Sequence, residues 1–318
     1  MPANKMKNKR LYLIDGYAML YRSHFALIRN PLINSKGMHT SALFGFINQI
    51  MKLITKDKPD LMVAAFDSSK KTFRHEKYPE YKATREKMPE EMVAQLPYLW
   101  KILESMGIPT LEQPGFEADD IIGTLATMAS KEELDVYIVS GDKDFMQLVN
   151  DKIFLYAPSG RQAEIKIYDR NGVVDKWGVP PEKIIDLLGL MGDSSDNVPG
   201  VPGVGEKTAV KLINEYGSLE ASLDNADEVK NKRAREGLQN AKSEALLSKE
   251  LVTIDTKMDL DIDFSTLKTN DIDKESLVDI FQELEFETLQ KQILGAEGTV
   301  QKNKDVPKKE YKTLYKED

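Results

Sequence analysis

Apolar residues in the first half of the chain form short continuous runs separated by longer stretches with helical spacing. The continuous runs cover 11–14, 61–66 and 136–140. Runs without polar alternation are expected of strands that are buried on both faces of a parallel sheet. Residues with helical apolar spacing fill 42–55, 92–106 and 118–131. This alternation of strand and helix predicts βαβ units and a doubly wound α/β domain.

The second half of the chain favours helices. An amphipathic stretch at 181–191, a segment rich in Gly and Pro, and a further helical stretch at 206–216 together predict a helix-hairpin-helix. Residues 219–294 have a polar helical pattern, and the apolar spacing of 281–294 is typical of a core helix. The Lys-rich residues 295–318 have the composition of a linker or tail. We therefore predict an α/β domain at 9–180, a helical region at 181–294 and a tail.

Nine carboxylates stand at the junctions of these predicted elements. They are Asp15, Asp67, Glu117, Asp119, Asp120, Asp142, Asp144, Asp193 and Asp196. Three of them follow strands, and open α/β sheets bind ligands outside the carboxyl ends of their strands. Carboxylates brought together there would repel one another unless cations neutralised them. Oxygen ligands without Cys or His suit two Mg²⁺ or Mn²⁺ ions, argue against zinc, and are typical of sites that cut or join phosphodiesters.

The individual acidic motifs are less specific than the set. Acids at 117–120 open a predicted helix, where one of them would serve as an ordinary cap for backbone amides. The Asp-Lys-Asp motif at 142–144 also occurs in phosphatases and in ordinary loops, and it lacks the further ligands of an EF-hand. One cap explains one acid, so three acids in four residues favour the metal-site interpretation.

Cations and aromatic residues alternate in 70–87, directly after the predicted strand that ends at Asp67. The cations are Lys70, Lys71, Arg74, Lys77, Lys82, Arg85 and Lys87, and the aromatic residues are Phe73, Tyr78 and Tyr81. Cations for phosphates and aromatic faces for bases are what a single-strand binding surface needs. Lys82 and Arg85 would share one face of a helix. A solvated charged loop is the alternative, but the position at the acidic end of the sheet favours phosphate binding.

A Gly/Pro-rich segment at 197–209 nearly matches a phosphate-binding P-loop. The inserted Glu206 breaks that spacing, and the segment does not follow a strand, so we exclude ATP binding. In a helix-hairpin-helix, exposed amides and the next helix N-terminus can hold a DNA phosphate without reading sequence. A hairpin used only for packing is the alternative, and Lys207 and Lys211, one helical turn apart, favour DNA. The run of cations at 230–235 fits a solvated helix face equally well.

Composition limits the setting of the protein. The 318 residues contain no Cys, which excludes disulfides, thiolate metal sites and cysteine nucleophiles and fits a reducing cytoplasm. The basic N-terminus lacks the features of a signal peptide, and no run is long enough to span a membrane. The net charge of −8 would by itself argue against a nucleic-acid partner. Net charge is a poor guide here, because many of the acids are concentrated at the predicted metal site. We expect a cytoplasmic monomer.

Four segments together resemble a known family. They are 13–16, 115–120, 140–144 and 191–209, and over about 9–294 they resemble the 5′-nuclease domains of bacterial DNA polymerase I, in the flap endonuclease family. The resemblance implies a PIN-like core with a helical arch at about 70–92, divalent metals, and K⁺ at the hairpin carbonyls of some members. Arg22, Lys82 and Arg85 match positions near the scissile phosphate, and Tyr81 matches an aromatic residue near the cleavage site. Residues matching duplex contacts are Arg74, Gly200, Gly203, Gly205, Lys207, Thr208 and Lys211.

The resulting hypothesis is a structure-specific 5′→3′ exonuclease and 5′-flap endonuclease, acting on DNA flaps, nicks and RNA–DNA primer junctions near the nucleoid. We assign Asp67, Glu117, Asp119 and Asp120 to a first metal, with Asp15 acting through water, and the remaining acids towards a second. Residues 306–311 resemble the lead-in to a proofreading domain, so we expect a polymerase region to follow. The alternatives are an RNA-cleaving PIN nuclease, a phosphatase and a non-catalytic duplex- or flap-binding module. The non-catalytic binding module is disfavoured, because its acids would repel the DNA phosphates.

Overall fold

A six-stranded sheet forms the centre of the computed structural model, which describes residues 9–159, 164–264, 267 and 272–295. The strands are β1 (Arg10–Asp15), β2 (Leu61–Phe66), β3 (Thr110–Glu112), β4 (Asp135–Val139), β5 (Ile153–Ser159) and β6 (Glu164–Tyr168). Their order is β3-β2-β1-β4-β5-β6, and all neighbours are parallel except β5 and β6. The predicted parallel sheet is confirmed, with β1 between β2 and β4.

Helices surround this sheet and predominate among the described residues of the second region, which are 181–264, 267 and 272–294. Those of the first half are α1 (Gly16–Ala26), α2 (Ser41–Lys52), α3 (Phe73–Lys77), α4 (Glu90–Val93), α5 (Leu96–Ser105), α6 (Ala118–Lys131) and α7 (Arg170–Trp177). Those of the second half are α8 (Ile184–Met191), α9 (Glu206–Tyr216), α10 (Leu219–Asp224), α11 (Lys232–Asn240), α12 (Lys242–Val252), α13 (Lys274–Glu283) and α14 (Glu287–Leu294). The predicted helix pair around the hairpin is therefore present as α8 and α9.

Two apolar layers cover the two faces of the sheet. Leu11 and Leu13 of β1 pack with α6 and the helical region, whereas Tyr12 and Ile14 pack with α1, α2 and α5. Successive side chains of a strand point to opposite faces, so burial of both faces explains the continuous apolar run. Helices α13 and α14 belong to the second layer. The last two helices of the predicted region 181–294 therefore pack against the same face of the sheet as α1, α2 and α5.

Helix boundaries differ from prediction at two places. A π-helical turn over Leu53–Asp57 follows α2, and the stretch predicted as one helix at 92–106 is divided into α4 and α5. Pro97 lies in the first turn of α5, where its missing N–H costs nothing, so a new helix begins there. The helix predicted at 118–131 is confirmed as α6, with Glu117 as its N-cap.

The segment corresponding to the predicted arch is mostly irregular. Within 70–92 only α3 and the start of α4 are helical, and Lys82 has a left-handed backbone with φ of 57°. Lys82 and Arg85 therefore do not share a helix face, although the Arg85 N–H donates to the Lys82 carbonyl at 3.0 Å. The two cations nevertheless reach the same acidic cluster.

Among the described residues, no helix has both the length and the apolar character needed to cross a bilayer.

Candidate active site

The carboxyl ends of β2, β1 and β4 bring Asp67, Asp15 and the loop carrying Asp142 together. The Ser140 hydroxyl donates to Asp15 at 2.8 Å, and the same oxygen accepts the Asp142 N–H at 3.0 Å. Burial raises the pKa of Asp15 to about 7, and the charges of Asp67 and Asp142 act in the same direction. The structure therefore brings these acids together, and burial makes ionisation of Asp15 less favourable than that of an exposed carboxyl group.

The N-terminus of α6 adds two further carboxylates. Asp67 accepts the N–H of Ala118 at 2.7 Å, which fixes this helix end against the strand end. Asp119 lies one residue on, and burial together with repulsion from Asp142 and Asp15 raises its pKa well above the usual range. Glu117 is buried, at 5% exposure. Asp119 therefore interacts with the strand-end acids, and Glu117 is the N-cap residue of the same helix end.

The loop after β4 carries Asp142 and Asp144 with little compensation for their charge. The Asp144 N–H donates to Asp142 at 2.9 Å, which is the backbone contact that shapes the loop. Burial raises the pKa of both groups; Asp142 adds to the effect at Asp144, and Asp196 adds to the effect at Asp142. Within the described chain, the buried Oδ1 atom of Asp144 has no hydrogen-bond partner. A buried oxygen in this state is ready to accept a cation.

A tight loop between α8 and the hairpin supplies Asp193 and Asp196. It closes through paired backbone hydrogen bonds between Asp193 and Val198, at 3.0 and 2.7 Å. Lys143 lies 2.6 Å from Asp193, and it outweighs the effect of burial, so that the pKa of Asp193 is lowered. The helical region thus contributes directly to the acidic cluster, as the sequence predicted.

Cations of the arch segment lie over the cluster. The Lys82 ammonium is 2.9 Å from Glu117 and 3.8 Å from Asp196, while Arg85 pairs with Asp196. The Tyr81 hydroxyl lies 3.2 Å from Glu117 and 3.1 Å from Asp196. Although burial lowers the pKa of Lys82, Glu117 and Asp196 raise it further, so Lys82 stays charged.

Arg22 stands at the opposite side of the loop after β4. An added Cβ at Gly141 would lie 3.7 Å from its guanidinium. Burial lowers the pKa of Arg22, and no carboxylate of the described chain pairs with it. A guanidinium in that position is available to a phosphate.

Two of the predicted site residues are placed elsewhere. Arg74, predicted to contact DNA, is 2% exposed, and Asp120, predicted to bind metal, is fully buried. The two form a bidentate ion pair, in which the two terminal guanidinium nitrogens of Arg74 lie 2.7 and 2.8 Å from the carboxylate oxygens of Asp120. In this structure the two side chains face each other inside the protein, because α6 turns consecutive residues by about 100° and points Asp120 away from Asp119.

The glycines of the hairpin have different roles. Gly200 and Gly203 have left-handed backbones, at φ of 63° and 84°, and a Cβ on Gly200 would lie 2.4 Å from the Gly192 nitrogen. A Cβ on Gly203 would meet Arg233, so both positions serve close packing. Gly205, the N-cap of α9, faces open space. The side chains of Lys207 and Lys211 are exposed beside it, and Thr208 is half-buried.

Sequence models of one family match most of the chain. The N-terminal resolvase-like domain of 5′–3′ exonucleases matches residues 10–178, and the C-terminal SAM fold of 5′–3′ exonucleases matches residues 179–275. The chain belongs to the 5′–3′ exonuclease family. The boundary between the two matches lies within two residues of the predicted division after 180.

Relatives of this 5′–3′ exonuclease family member are of two lengths. DNA polymerase I of Bacillus subtilis (strain 168) is 44% identical over 284 residues, which are 89% of this chain and 32% of the relative. A 5′–3′ exonuclease of Aquifex aeolicus (strain VF5) is 40% identical over 285 residues, which are 90% of this chain and 95% of the relative. The chain thus spans about a third of the polymerase and nearly all of the Aquifex protein.

Solved structures share the fold. T5 5′-exonuclease with bound divalent zinc ions has a TM-score of 0.65 at 21% identity, covering 90% of this chain and 98% of that one. The catalytic core of Rad2 in complex with DNA has a TM-score of 0.59 at 18% identity, covering 91% and 92%. The predicted PIN-like core with a helical second region is confirmed by this likeness.

The donor set fits divalent cations. Eight carboxylates remain in the cluster once Asp120 is excluded, all are oxygen donors, and burial or mutual repulsion raises the pKa of several. Over 9–159, 164–264, 267 and 272–295, no three acidic or His side chains are already arranged around one point as a ligand group. Lys82, Lys143 and Arg85 hold Glu117, Asp193 and Asp196 instead. An incoming metal ion would have to displace those cations.

Three contributing residues were not assigned from the sequence. Ser140 and Lys143 lie inside the acidic motif at 140–144, and the position of a polar or basic residue beside acids is the only mark of their role in the sequence of that motif. Gln147 joins the carbonyls of Asp144 and Val252, each at 2.9 Å. No sequence pattern marks that role, because its second partner lies 105 residues away.

Proposed function

We propose that this chain hydrolyses phosphodiesters near the 5′ end of a strand paired to a template, as a 5′→3′ exonuclease and 5′-flap endonuclease. One observation carries the proposal: acids from both regions of the chain share one electrostatic field beneath the cations of the arch segment. Membership of the 5′–3′ exonuclease family supports the same reaction class. A binding module would gain nothing from such a cluster, because the acids would repel its DNA.

Two Mg²⁺ or Mn²⁺ ions are the proposed cofactors. Asp67, Glu117 and Asp119 would hold the first, with Asp15 acting through water, while Asp142 and Asp144 face the second together with Asp193 and Asp196. Bound divalent ions supply an activated water and offset the charge of the leaving oxygen. The buried, partnerless oxygen of Asp144 is the atom of this set that most needs a cation.

We propose that Lys82 and Arg85 of the arch segment pair first with acids and then with a phosphate of the substrate. In the structure described, Lys82 and Arg85 neutralise Glu117 and Asp196. With divalent cations held by Glu117 and Asp196, Lys82 and Arg85 would be free to pair with a scissile phosphate and would offset the charge that develops during cleavage. Arg22, already without an acid partner in the described chain, would hold the phosphate from the other side.

The hairpin gives the enzyme its preference for duplex ends. The exposed N-terminus of α9 at Gly205, with Lys207 and Lys211, is suited to the phosphates of a duplex and makes no use of base edges. We propose that the duplex lies on this surface, with K⁺ at the hairpin carbonyls, while the 5′ strand passes to the acids. The substrates are flaps, nicks and RNA–DNA primer junctions, acted on by a nucleoid-associated monomer that a polymerase region follows in longer relatives.

A substrate panel tests this function. Four 5′-labelled substrates are compared with and without Mg²⁺: a flap duplex, a nicked duplex, an RNA-primed duplex and the matching single strand. We expect magnesium-dependent cleavage at the flap junction and at the 5′ end of the nick, with little action on the single strand. Preferential cleavage of single-stranded RNA would favour the RNA-cleaving PIN nuclease. Tight binding without cleavage under either metal would contradict the proposal and leave a binding module.

A further inference from the structure

We infer that Arg74 and Asp120 form a positioning pair, which orients the metal-binding end of α6 and touches neither metal nor DNA. This inference rests on the function proposed above. The guanidinium and the carboxylate meet in two hydrogen bonds of 2.7 and 2.8 Å, and both side chains are buried. Because consecutive helical residues are turned by about 100°, Asp120 points away from Asp119 around the axis of α6.

All the hydrogen-bonding capacity of the pair is in use. A carboxylate offers about four acceptor positions, and Asp120 accepts the N–H groups of Glu117 at 3.2 Å and Asp255 at 2.9 Å besides the two from Arg74. The guanidinium also donates to the carbonyls of Leu251 at 2.9 Å and Thr253 at 2.8 Å. Its remaining donor side lies 3.4 Å from Glu117. Asp120 could bind a metal only by giving up a bond inside the protein.

The pair joins three parts of the chain that meet at the active site. Arg74 belongs to α3 at the base of the arch segment and Asp120 to the first turn of α6. Apart from the Glu117 N–H, their backbone partners belong to the segment 251–255, which we call the strap. The strap is tied to the loop of Asp144 as well, since Gln147 donates to the Asp144 and Val252 carbonyls and accepts the Ile254 N–H at 3.0 Å. Glu117 and Asp144 are therefore placed by one buried network.

Asp120 and Asp119 consequently have opposite effects on the stability of the metal-free protein. Removing one partner of a buried ion pair leaves the other charge without compensation and is strongly destabilising. Asp120→Asn does this to Arg74, whereas Asp119→Asn removes a carboxylate that is buried and repelled by Asp142 and Asp15. Asp119→Asn therefore serves as the matched control, one residue away and with the same chemical change.

The test measures thermal unfolding in the presence of EDTA. We expect Asp120→Asn to lower the midpoint by about 10 °C, and Asp119→Asn to leave it unchanged or raise it. The double variant Arg74→Met/Asp120→Leu leaves no buried charge without a partner, but the backbone groups at 117, 251, 253 and 255 lose their hydrogen bonds, so it should recover only part of the loss. Equal midpoints for the two Asn variants would overturn the inference.

Mn²⁺ titration by calorimetry supplies the second readout. We expect the Arg74→Met/Asp120→Leu protein to keep the wild-type number of ions, with affinity reduced by no more than about tenfold, as for loss of supporting contacts. Asp119→Asn should lose an ion or at least a hundredfold in affinity. Loss of an ion from the double variant would make Asp120 a ligand and overturn the inference. If the wild type bound no Mn²⁺, the proposed function would fail, while the unfolding comparison would still judge the pair.

Discussion

At the scale of single residues, the active-site acids are unfavourable to the folded chain when they are ionised. Asp15 is 7% exposed and surrounded by further carboxylates. The Ser140 hydroxyl and the Ala18 N–H compensate part of its charge. Burial and repulsion outweigh these two hydrogen bonds, since the pKa of Asp15 is raised from 3.8 to about 7. The site is therefore built for cations at a cost in stability to the metal-free protein.

The first prediction concerns the pH dependence of stability. Between about pH 4 and pH 7 the folded chain keeps a proton on Asp15 that the unfolded chain has released, so stability falls as pH rises through this window. The metal-free protein should unfold at a lower temperature at pH 7.5 than at pH 6. Mg²⁺ should recover the loss at pH 7.5, and Asp15→Asn should reduce the slope. Asp193, with a lowered pKa, titrates below this range. A slope of the opposite sign in calorimetry would contradict the account.

A second prediction separates catalysis from binding. Lys82→Ala removes one cation over the cluster, and loss of such a group typically lowers turnover by about a hundredfold or more. Substrate affinity should change little, because one phosphate contact alters the salt slope of binding by only about one unit. Single-turnover cleavage and equilibrium binding of the same flap substrate measure the two effects. A variant impaired only in affinity would make Lys82 a residue that positions the strand.

The residue types of the site could be predicted from the sequence, but their orientations could not. Acids at strand ends and at a helix start converge wherever parallel strands share an edge, which made the cluster foreseeable. Asp119 and Asp120 were indistinguishable in sequence. Which of them faces the cluster depends on Arg74, 46 residues earlier, and on the strap more than 130 residues later. Contacts of that separation leave no local pattern.

At the scale of elements, the loop of Asp193 and Asp196 depends on the approach of two glycines. Gly192 and Gly200 bring their backbones so close that a Cβ on either would meet the other's main chain below 3 Å. The Gly200 N–H also donates a hydrogen bond of 2.9 Å to the Ser248 hydroxyl, which holds the hairpin in place. The hairpin therefore closes an acidic loop and also carries the proposed duplex surface.

The third prediction compares two glycines of this hairpin. Gly200→Ala combines a left-handed backbone with a contact at 2.4 Å, so it should reduce the free energy of unfolding by more than about 2 kcal/mol. Gly205→Ala, where an added Cβ meets open space, should cost less than about 1 kcal/mol as an N-cap change. Urea denaturation measures both. Similar losses at the two positions would contradict the described packing.

Some strands and helices can be predicted from the sequence and others cannot. The continuous runs of β1, β2 and β4 and the spacing of α6 and α9 are strong local signals, and the structure contains all of them. Strand β3 has three residues, none of them buried, and β6 is largely exposed at the sheet edge, so neither carries an apolar run. The irregular arch segment is shaped by ion pairs with Glu117 and Asp196, which no periodicity records.

At the scale of the whole molecule, two regions share one site. The helical region supplies Asp193, Asp196 and the strap, while α13 and α14 pack on the far layer of the sheet with α5. The exposed lysines of α9 take no part in the ion pairs that hold Lys82 and Arg85 to the acids. We therefore propose that the duplex binds at α9 and that cleavage takes place at the acidic cluster.

The fourth prediction tests that separation. Lys207→Ala/Lys211→Ala should weaken flap binding and reduce the salt slope by about 2, since each phosphate contact contributes about 0.9. The cleavage rate at saturating substrate should stay near that of the wild type, because neither lysine touches the acidic cluster. Lys232→Ala is a suitable control, as an exposed cation of α11 paired only loosely with Glu236 at 3.8 Å. A large fall in the saturated rate would place these lysines in the catalytic machinery.

The most direct test of the account is the metal dependence of flap cleavage in the wild type and in Asp142→Asn. Asp142 lies at the centre of the cluster, where its charge acts on Asp15, Asp119 and Asp144. We predict cleavage that appears with Mg²⁺, disappears with EDTA and is lost in the variant, while the variant still binds the flap. Cleavage that persisted in Asp142→Asn, or in the wild type without divalent ions, would contradict the claim that these acids form the hydrolytic site.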